Sequence, residues 1–269
     1  MRVGIVGLGL IGGSFAKAYQ EAGHEVLAFD CDESVLSFAQ LEGAVSAPLT
    51  KENISTCDLV LVAIYPEAAV NYVRDMAPYI GTKPMVIDCC GTKRVVCQAL
   101  FPLAKEYGFT YLGGHPMAGR ERGGFAHATA DLFRGAHYIL TPDAGVPQES
   151  IRLMERLVTF MGCADVVFSD PAAHDERIAY TSQLMHVMAL ALCDQHLLFD
   201  SYGFEGGSFR GATRVAALDP KLWCELFWAN KETLANLTDE LTERLAEYSA
   251  LLHGDDRAAL LERLTVSSD

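Results

Sequence analysis

The first thirty residues constrain this chain more than any other stretch. Arg2-Val3-Gly4-Ile5-Val6 has the composition of a buried strand and runs directly into Gly7-Leu8-Gly9-Leu10-Ile11-Gly12-Gly13-Ser14, after which a helical pattern continues to Glu21. A second apolar strand then ends at Asp30, eighteen residues past Gly12. Strand, glycine turn, helix, strand and terminal acid in that order form a dinucleotide-binding βαβ unit. Gly7 allows the tight turn, Gly9 lets a pyrophosphate approach the main chain, and Gly12 lets helix and strand pack closely. The exposed N–H groups at the helix start, near Leu10 and Ile11, attract the phosphates. Asp30 is placed to accept hydrogen bonds from ribose hydroxyls and to repel a 2′-phosphate. Its neighbours Cys31, Asp32 and Glu33 supply no cation to offset that repulsion, so the expected cofactor is NAD and not NADP.

The same rhythm continues to residue 170. Apolar strand-like runs at Leu59 to Ile64, Met85 to Asp88, Thr110 to Leu112, Tyr138 to Thr141 and Val166 to Phe168 alternate with amphipathic stretches, predicting an α/β domain with a largely parallel sheet. Ile64, at the end of one such strand, is expected to line the nucleotide. Past Ser169-Asp170-Pro171 the pattern becomes helical: Ala172 to Asp200, Leu222 to His253, and a shorter Asp256 to Leu264. The expected organisation is a Rossmann-type domain over residues 1–170 and an all-helical domain over 171–269. Leu234, Leu237, Leu241, Leu245, Tyr248 and Leu252 recur at intervals of three and four along one helix face. That stripe fits either core packing or a dimer seam.

Charge and cysteine content narrow the partners. The net charge of −14 is dispersed and opposes binding to a phosphate backbone, so nucleic acid is not an expected partner. Eight cysteines without a Cys-x-x-Cys pair suit a reducing compartment, and no apolar run has the length of a bilayer span. The expectation is a cytoplasmic enzyme acting on a small molecule away from membranes.

His115 lies in Gly113-Gly114-His115-Pro116-Met117-Ala118-Gly119, where glycines let a ligand approach and proline stiffens the chain after a titratable imidazole. This segment reads as a loop. With the N-terminal glycine motif, Gly114-His115-Pro116-Met117-Ala118-Gly119-x-Glu121, His174-Asp175 followed by Ser182-Gln183-Leu184-Met185-His186, and Gly207-x-Phe209-Arg210-x-x-Thr213-Arg214 followed by Asp219-Pro220-x-x-Trp223, the whole chain resembles the prephenate and arogenate dehydrogenases.

The resemblance implies a Rossmann domain, a helical dimerisation domain and NAD(P)-linked oxidative decarboxylation of a cyclohexadienol to a phenol. His115 would accept the hydrogen bond or proton of the ring hydroxyl, and Arg214 would grip a substrate carboxylate bidentately. Arg210 and His186 are further substrate-site candidates, with Ser182 behind them. His174 is expected to hydrogen-bond near the start of its helix in a structural role. Lys93 is read as either a first-turn surface residue or a loop-positioning one, and Glu121 as a gate or as a partner of Arg120 or Arg122. Arg120 itself, if it faces the substrate, favours prephenate over the ammonium-bearing arogenate.

The chain departs from the family pattern at Gly91. Many members carry a serine there, whose hydroxyl helps orient the histidine and meets the substrate hydroxyl; Thr92 is the neighbour available to replace it. Two other readings keep the same architecture. In one, the chain is a 3-hydroxyacid dehydrogenase or cyclic-imine reductase, groups that lack the Gly-His-Pro loop; the hydroxyacid enzymes generally use a helical-domain lysine, where this chain has only Lys221 and Lys231. In the other, it is a non-catalytic dinucleotide sensor.

Overall fold

A computed structural model describes residues 1–120 and 122–268. Among these residues eight strands form one sheet: β1 (Arg2–Val6), β2 (Glu25–Phe29), β3 (Ala47–Pro48), β4 (Leu59–Val62), β5 (Met85–Asp88), β6 (Thr110–Pro116), β7 (His137–Pro142) and β8 (Asp165–Phe168). Their spatial order is β3-β2-β1-β4-β5-β6-β7-β8, so the first six follow the doubly wound dinucleotide-binding order. All neighbouring pairs are parallel except β6 and β7.

The helices of this part are α1 (Leu10–Glu21), α2 (Glu33–Leu41), α3 (Pro66–Ile80), α4 (Arg94–Tyr107), α5 (Gln148–Phe160) and α6 (Pro171–Ile178). They cover both sheet faces, which is why the central strands are apolar at consecutive positions. Leu59 and Leu61 pack into one core with Phe15, Tyr19, Ile87 and Leu140, while Val60 and Val62 pack into the other with Val73, Val86 and Leu100.

The chain divides into two compact units. One comprises residues 1–178 together with 217–229, and the other comprises 179–216 with 230–269. The returning piece of the first unit carries α9 (Pro220–Ala229). The sequence pattern reads Leu222 to His253 as one helix, whereas the structure breaks it at Asn230 and assigns the two halves to different units. Periodicity carries no signal for such a partition.

The second unit is helical throughout. It contains a π turn at Ala179–Gln183, then α7 (Leu184–Cys193), α8 (Gly207–Thr213), α10 (Lys231–His253) and α11 (Arg257–Ser268), with single 3-10 turns between. Leu184, Ala189 and Leu234 are buried, and the Asn230 side-chain N–H₂ donates to Gln183 Oε1 at 2.9 Å inside this core. Of the α10 stripe, Leu234 is buried, whereas Leu245 and Leu252 are 58% and 70% exposed. Within one chain, therefore, that stripe is mostly uncovered. No helix among the described residues is long and apolar enough to cross a membrane.

Candidate active site

The glycine turn takes the shape its sequence demands. Gly7 has φ +87°, and a Cβ there would meet Ile64 Cγ2 at 2.3 Å, so Ile64 packs directly over the turn. A Cβ on Gly12 would fall 1.8 Å from the Gly7 carbonyl oxygen, so helix and strand touch at this point. At Gly9, the N-cap of α1, nothing lies within 4 Å of a Cβ position, and no side chain caps the helix. Leu10 and Ile11 begin α1 and are half-buried.

Asp30 closes the loop. Its Oδ2 accepts the Leu8 N–H at 2.7 Å, and Oδ1 accepts the Asp32 N–H at 2.9 Å. An open backbone approach, an uncapped helix N-terminus and an anchored carboxylate together fit the diphosphate and ribose of a dinucleotide.

Gly7, Ile64, Asp88 and His115 follow or terminate adjacent parallel strands of the sheet, and crevices of this fold open beyond such carboxyl ends. The segment read as a loop around His115 is the end of β6. His115 pairs with Ile139 of antiparallel β7, and Gly113 with Asp88 of β5. Glycines read as loop formers from sequence. Here they are required by close approach, since a Cβ on Gly113 would fall 2.1 Å from Thr141 Oγ1.

Asp88 organises this end of the sheet. It accepts from the Cys90 N–H at 3.0 Å, the Tyr111 hydroxyl at 2.7 Å and the Gly114 N–H at 3.4 Å, and it pairs with the Lys93 ammonium. Lys93 is fully buried, so its reading as a surface residue is corrected, and the loop-positioning alternative is the one its geometry fits. Four donors around one carboxylate offset the cost of burying the pair.

His115 Nδ1 lies 2.9 Å from Nε2 of His174, and His174 Nδ1 lies 2.7 Å from Asp175 Oδ1. Asp175 also accepts the main-chain N–H groups of Lys93 at 2.7 Å and Arg94 at 2.9 Å, capping the start of α4. A carboxylate accepting at both oxygens requires the proton of His174 on Nδ1. The lone pair of His174 is then on Nε2, which places the proton of His115 on Nδ1 and leaves Nε2 of His115 as an acceptor. Burial, the adjacent His174 and the Lys93 charge hold His115 well below the usual histidine range. His174 is also lowered, chiefly by burial and against the pull of its Asp175 hydrogen bond.

Thr92 does not take the part of the missing serine. Its hydroxyl is buried without a hydrogen-bond partner, so it does not hold His115. The imidazole is anchored by His174 instead, a side chain that sequence reasoning confines to its own helix. The pair His174-Asp175 is visible in the sequence, but its partner lies 59 positions earlier and only the fold joins them.

A Cβ at Gly91 would stand 4.0 Å from His115 Nε2 and 3.2 Å from Leu226 Cδ2 of α9. This helix is held by Asp219, which caps its start through Lys221 and Leu222 and accepts the Tyr65 hydroxyl at 2.9 Å, and by Glu225, which accepts the Glu67 N–H at the start of α3.

In the helical unit, His186 Nδ1 donates to the Ser182 carbonyl at 2.9 Å. Its affinity for a proton is lowered by half-burial and by the Arg214 charge, so these two predicted residues share one neighbourhood. Arg214 follows α8 and is exposed; Arg210, one turn earlier, donates to the Glu205 carbonyl at 3.0 Å. Ser182 is half-buried in the π turn. Arg120 turns back on its own loop, donating to Thr129 Oγ1 at 3.0 Å and the His127 carbonyl at 3.4 Å, which gives no support to a cation facing substrate. Glu121 lies outside the described residues.

Residues 15–167 match the nucleotide-binding domain of prephenate dehydrogenase, and residues 170–266 match its dimerization domain. The chain belongs to the prephenate dehydrogenase family. It is 28% identical to the prephenate dehydrogenase of Bacillus subtilis, covering 98% of this chain and 74% of that protein. It is 29% identical to the cyclohexadienyl dehydrogenase of Zymomonas mobilis, covering 98% and 93%. A crystal structure of prephenate dehydrogenase from A. aeolicus, in complex with hydroxyphenyl propionate and NAD+, superposes with a TM-score of 0.82 at 26% identity, covering 100% of this chain and 96% of that one.

Proposed function

We propose that the chain catalyses NAD-dependent oxidative decarboxylation of prephenate to 4-hydroxyphenylpyruvate. The observation that carries this reading is the acceptor-facing Nε2 of His115 at the end of a strand three places from the glycine turn in the same sheet. Oxidation of a ring carbinol needs an acceptor for the hydroxyl proton as a carbonyl develops, and a histidine held neutral supplies it across the physiological range. NAD, when bound at the glycine turn, supplies the hydride acceptor. Asp30 is poised for its ribose, and the uncapped start of α1 for its diphosphate. Loss of the ring carboxylate yields an aromatic ring, so the protein's task is orientation and proton management rather than activation of a leaving group. Within the helical unit the proposed substrate-binding residues are Arg214, a permanent cation suited to a carboxylate, with His186, Arg210 and Ser182.

The same reading includes a homodimer. Its support is the match to a dimerization domain and the exposed apolar side of α10.

Initial rates with prephenate and arogenate, each with NAD and NADP, test the proposal. The expected result is NADH formation with prephenate, with arogenate and NADP both poorer. His115→Asn should lose turnover by at least about a hundredfold while still binding NAD. Turnover of arogenate alone would move the assignment to arogenate dehydrogenase, and turnover of neither substrate would overturn it.

A further inference from the structure

We infer that His174 and Asp175 form a proton relay with His115, in which His174, and not His115, is the resting place of the proton taken from the substrate hydroxyl. The inference rests on the reading above for its substrate and hydride acceptor, and on the geometry of this chain for everything else.

The three groups form a continuous chain: His115 Nδ1 to His174 Nε2 at 2.9 Å, then His174 Nδ1 to Asp175 Oδ1 at 2.7 Å. His174 and Asp175 are at most 1% exposed, so bulk water does not intervene in their hydrogen bonds. Among the described residues, Nε2 of His115 has no hydrogen-bond partner, and the wall beside it is Gly91 and Leu226. Glycine offers no hydroxyl there. The orientation of this imidazole and the fate of its proton therefore pass to its other nitrogen.

The step balances as follows. The substrate O–H bond breaks and its proton joins Nε2 of His115, while the Nδ1–H bond of His115 breaks and that proton joins Nε2 of His174. The electron pair left on oxygen becomes the second bond of the carbonyl as hydride departs from the ring carbon. When carbon dioxide leaves, the pair from the broken carbon–carbon bond completes the aromatic ring. The oxygen then regains its proton by the same path reversed, so phenol departs, His174 returns to neutral and His115 to its Nδ1–H tautomer.

Electrostatics favours this resting place. Buried Lys93 opposes positive charge on either ring, but Asp175 and Asp88 offset it at His174. An imidazolium at His174 retains a charge-assisted hydrogen bond to Asp175, whereas one at His115 faces a second imidazole. His174 acts through His115 and is a positioning and proton-storing residue, not a catalytic one.

His174→Gln separates the two duties. The glutamine carbonyl still accepts from His115 Nδ1 and preserves its tautomer, but the amide stores no proton. The expected single-turnover hydride rate falls about ten- to a hundredfold with NAD affinity unchanged. In mixed H₂O/D₂O the rate should follow a bowed curve for the unmodified enzyme, two protons being in motion, and a straight line for His174→Gln. Independently of activity, ¹⁵N spectra of histidine-labelled protein, with His115 assigned by its loss in His115→Asn, should place its proton on Nδ1. A His115 proton on Nε2, a straight line for the unmodified enzyme, or a His174→Gln rate within about twofold would each overturn the relay. If His174→Gln fails to bind NAD, the spectrum and the unmodified enzyme's curve still decide. Absence of turnover with a correct tautomer would count against the functional reading, and Nδ1 protonation would still support the hydrogen-bond chain.

Discussion

A Cβ built on Gly91 stands 4.0 Å from Nε2 of His115, within one bond's reach of a hydroxyl that this chain lacks. Leu226 crowds the same position at 3.2 Å, but with a flexible methyl group and not with backbone. Gly91→Ser is therefore expected to fold with a shift in thermal midpoint of no more than a few degrees. Because His174 already sets the His115 tautomer, the serine should alter kcat/KM by less than about tenfold, against a larger loss for His174→Gln. Steady-state kinetics of the two variants side by side check this, and a serine variant gaining a hundredfold would show that His115 is poorly oriented without it.

Lys93 and Asp88 are both wholly enclosed, and removal of one leaves the other as an uncompensated charge. Lys93→Met should lower the unfolding free energy by about 3–5 kcal/mol, read from urea denaturation. Lys93→Met combined with Asp88→Leu should cost less than the sum of the single changes, since no lone charge then remains.

Asp30 fixes the glycine loop through Leu8, and in the proposed function its charge meets the ribose. Asp30→Ser should raise the NAD dissociation constant by roughly tenfold or more and narrow the preference over NADP. Fluorescence titration with both dinucleotides measures it. An unchanged ratio would remove Asp30 from cofactor choice.

Every histidine shift resolved in this structure is downward: His24, His115, His174 and His186, each chiefly through burial. The unfolded chain therefore binds more protons than the folded one as pH falls below about 6.5, and stability should decline from that point downward. Activity should respond later. In the proposed reaction His115 accepts the proton in its neutral form, which persists below the ordinary histidine range, so the acid limb of kcat/KM should lie under pH 6.5. Urea midpoints and kcat/KM across pH 5–8 separate the two effects. An acid limb above 6.5 would contradict the sign.

Leu245 and Leu252 stand on the open side of α10. Replacing both with glutamate should shift the protein toward monomer in analytical ultracentrifugation while leaving its helical content intact. Persistence of the dimer would move the interface elsewhere.

Much of this molecule follows from local pattern. The glycine turn, Asp30 and alternating apolar runs specify five of the first six strands, because a buried parallel sheet needs unbroken apolar stretches and a phosphate-binding turn needs glycine at set positions. Ala47–Pro48 escapes this reading, being two residues long. The Gly-Gly-His-Pro segment reads as a loop because glycine disfavours strands. Only the crowding by Thr141 and the ladder to β7 show that β6 continues through it.

The sequence by itself determined the dinucleotide site, the helical character of the C-terminal half and the identity of His115 as the residue to watch. These depend on spacing within a single element or turn, where chain geometry leaves little choice. Tertiary structure alone decided what holds that histidine: His174 arrives from 59 residues away, Asp175 caps a helix begun 81 residues earlier, and Leu226 fills the space beside Gly91. Hydrogen bonds between distant residues depend on how elements pack, and neither composition nor periodicity records which side chains that packing brings within 3 Å.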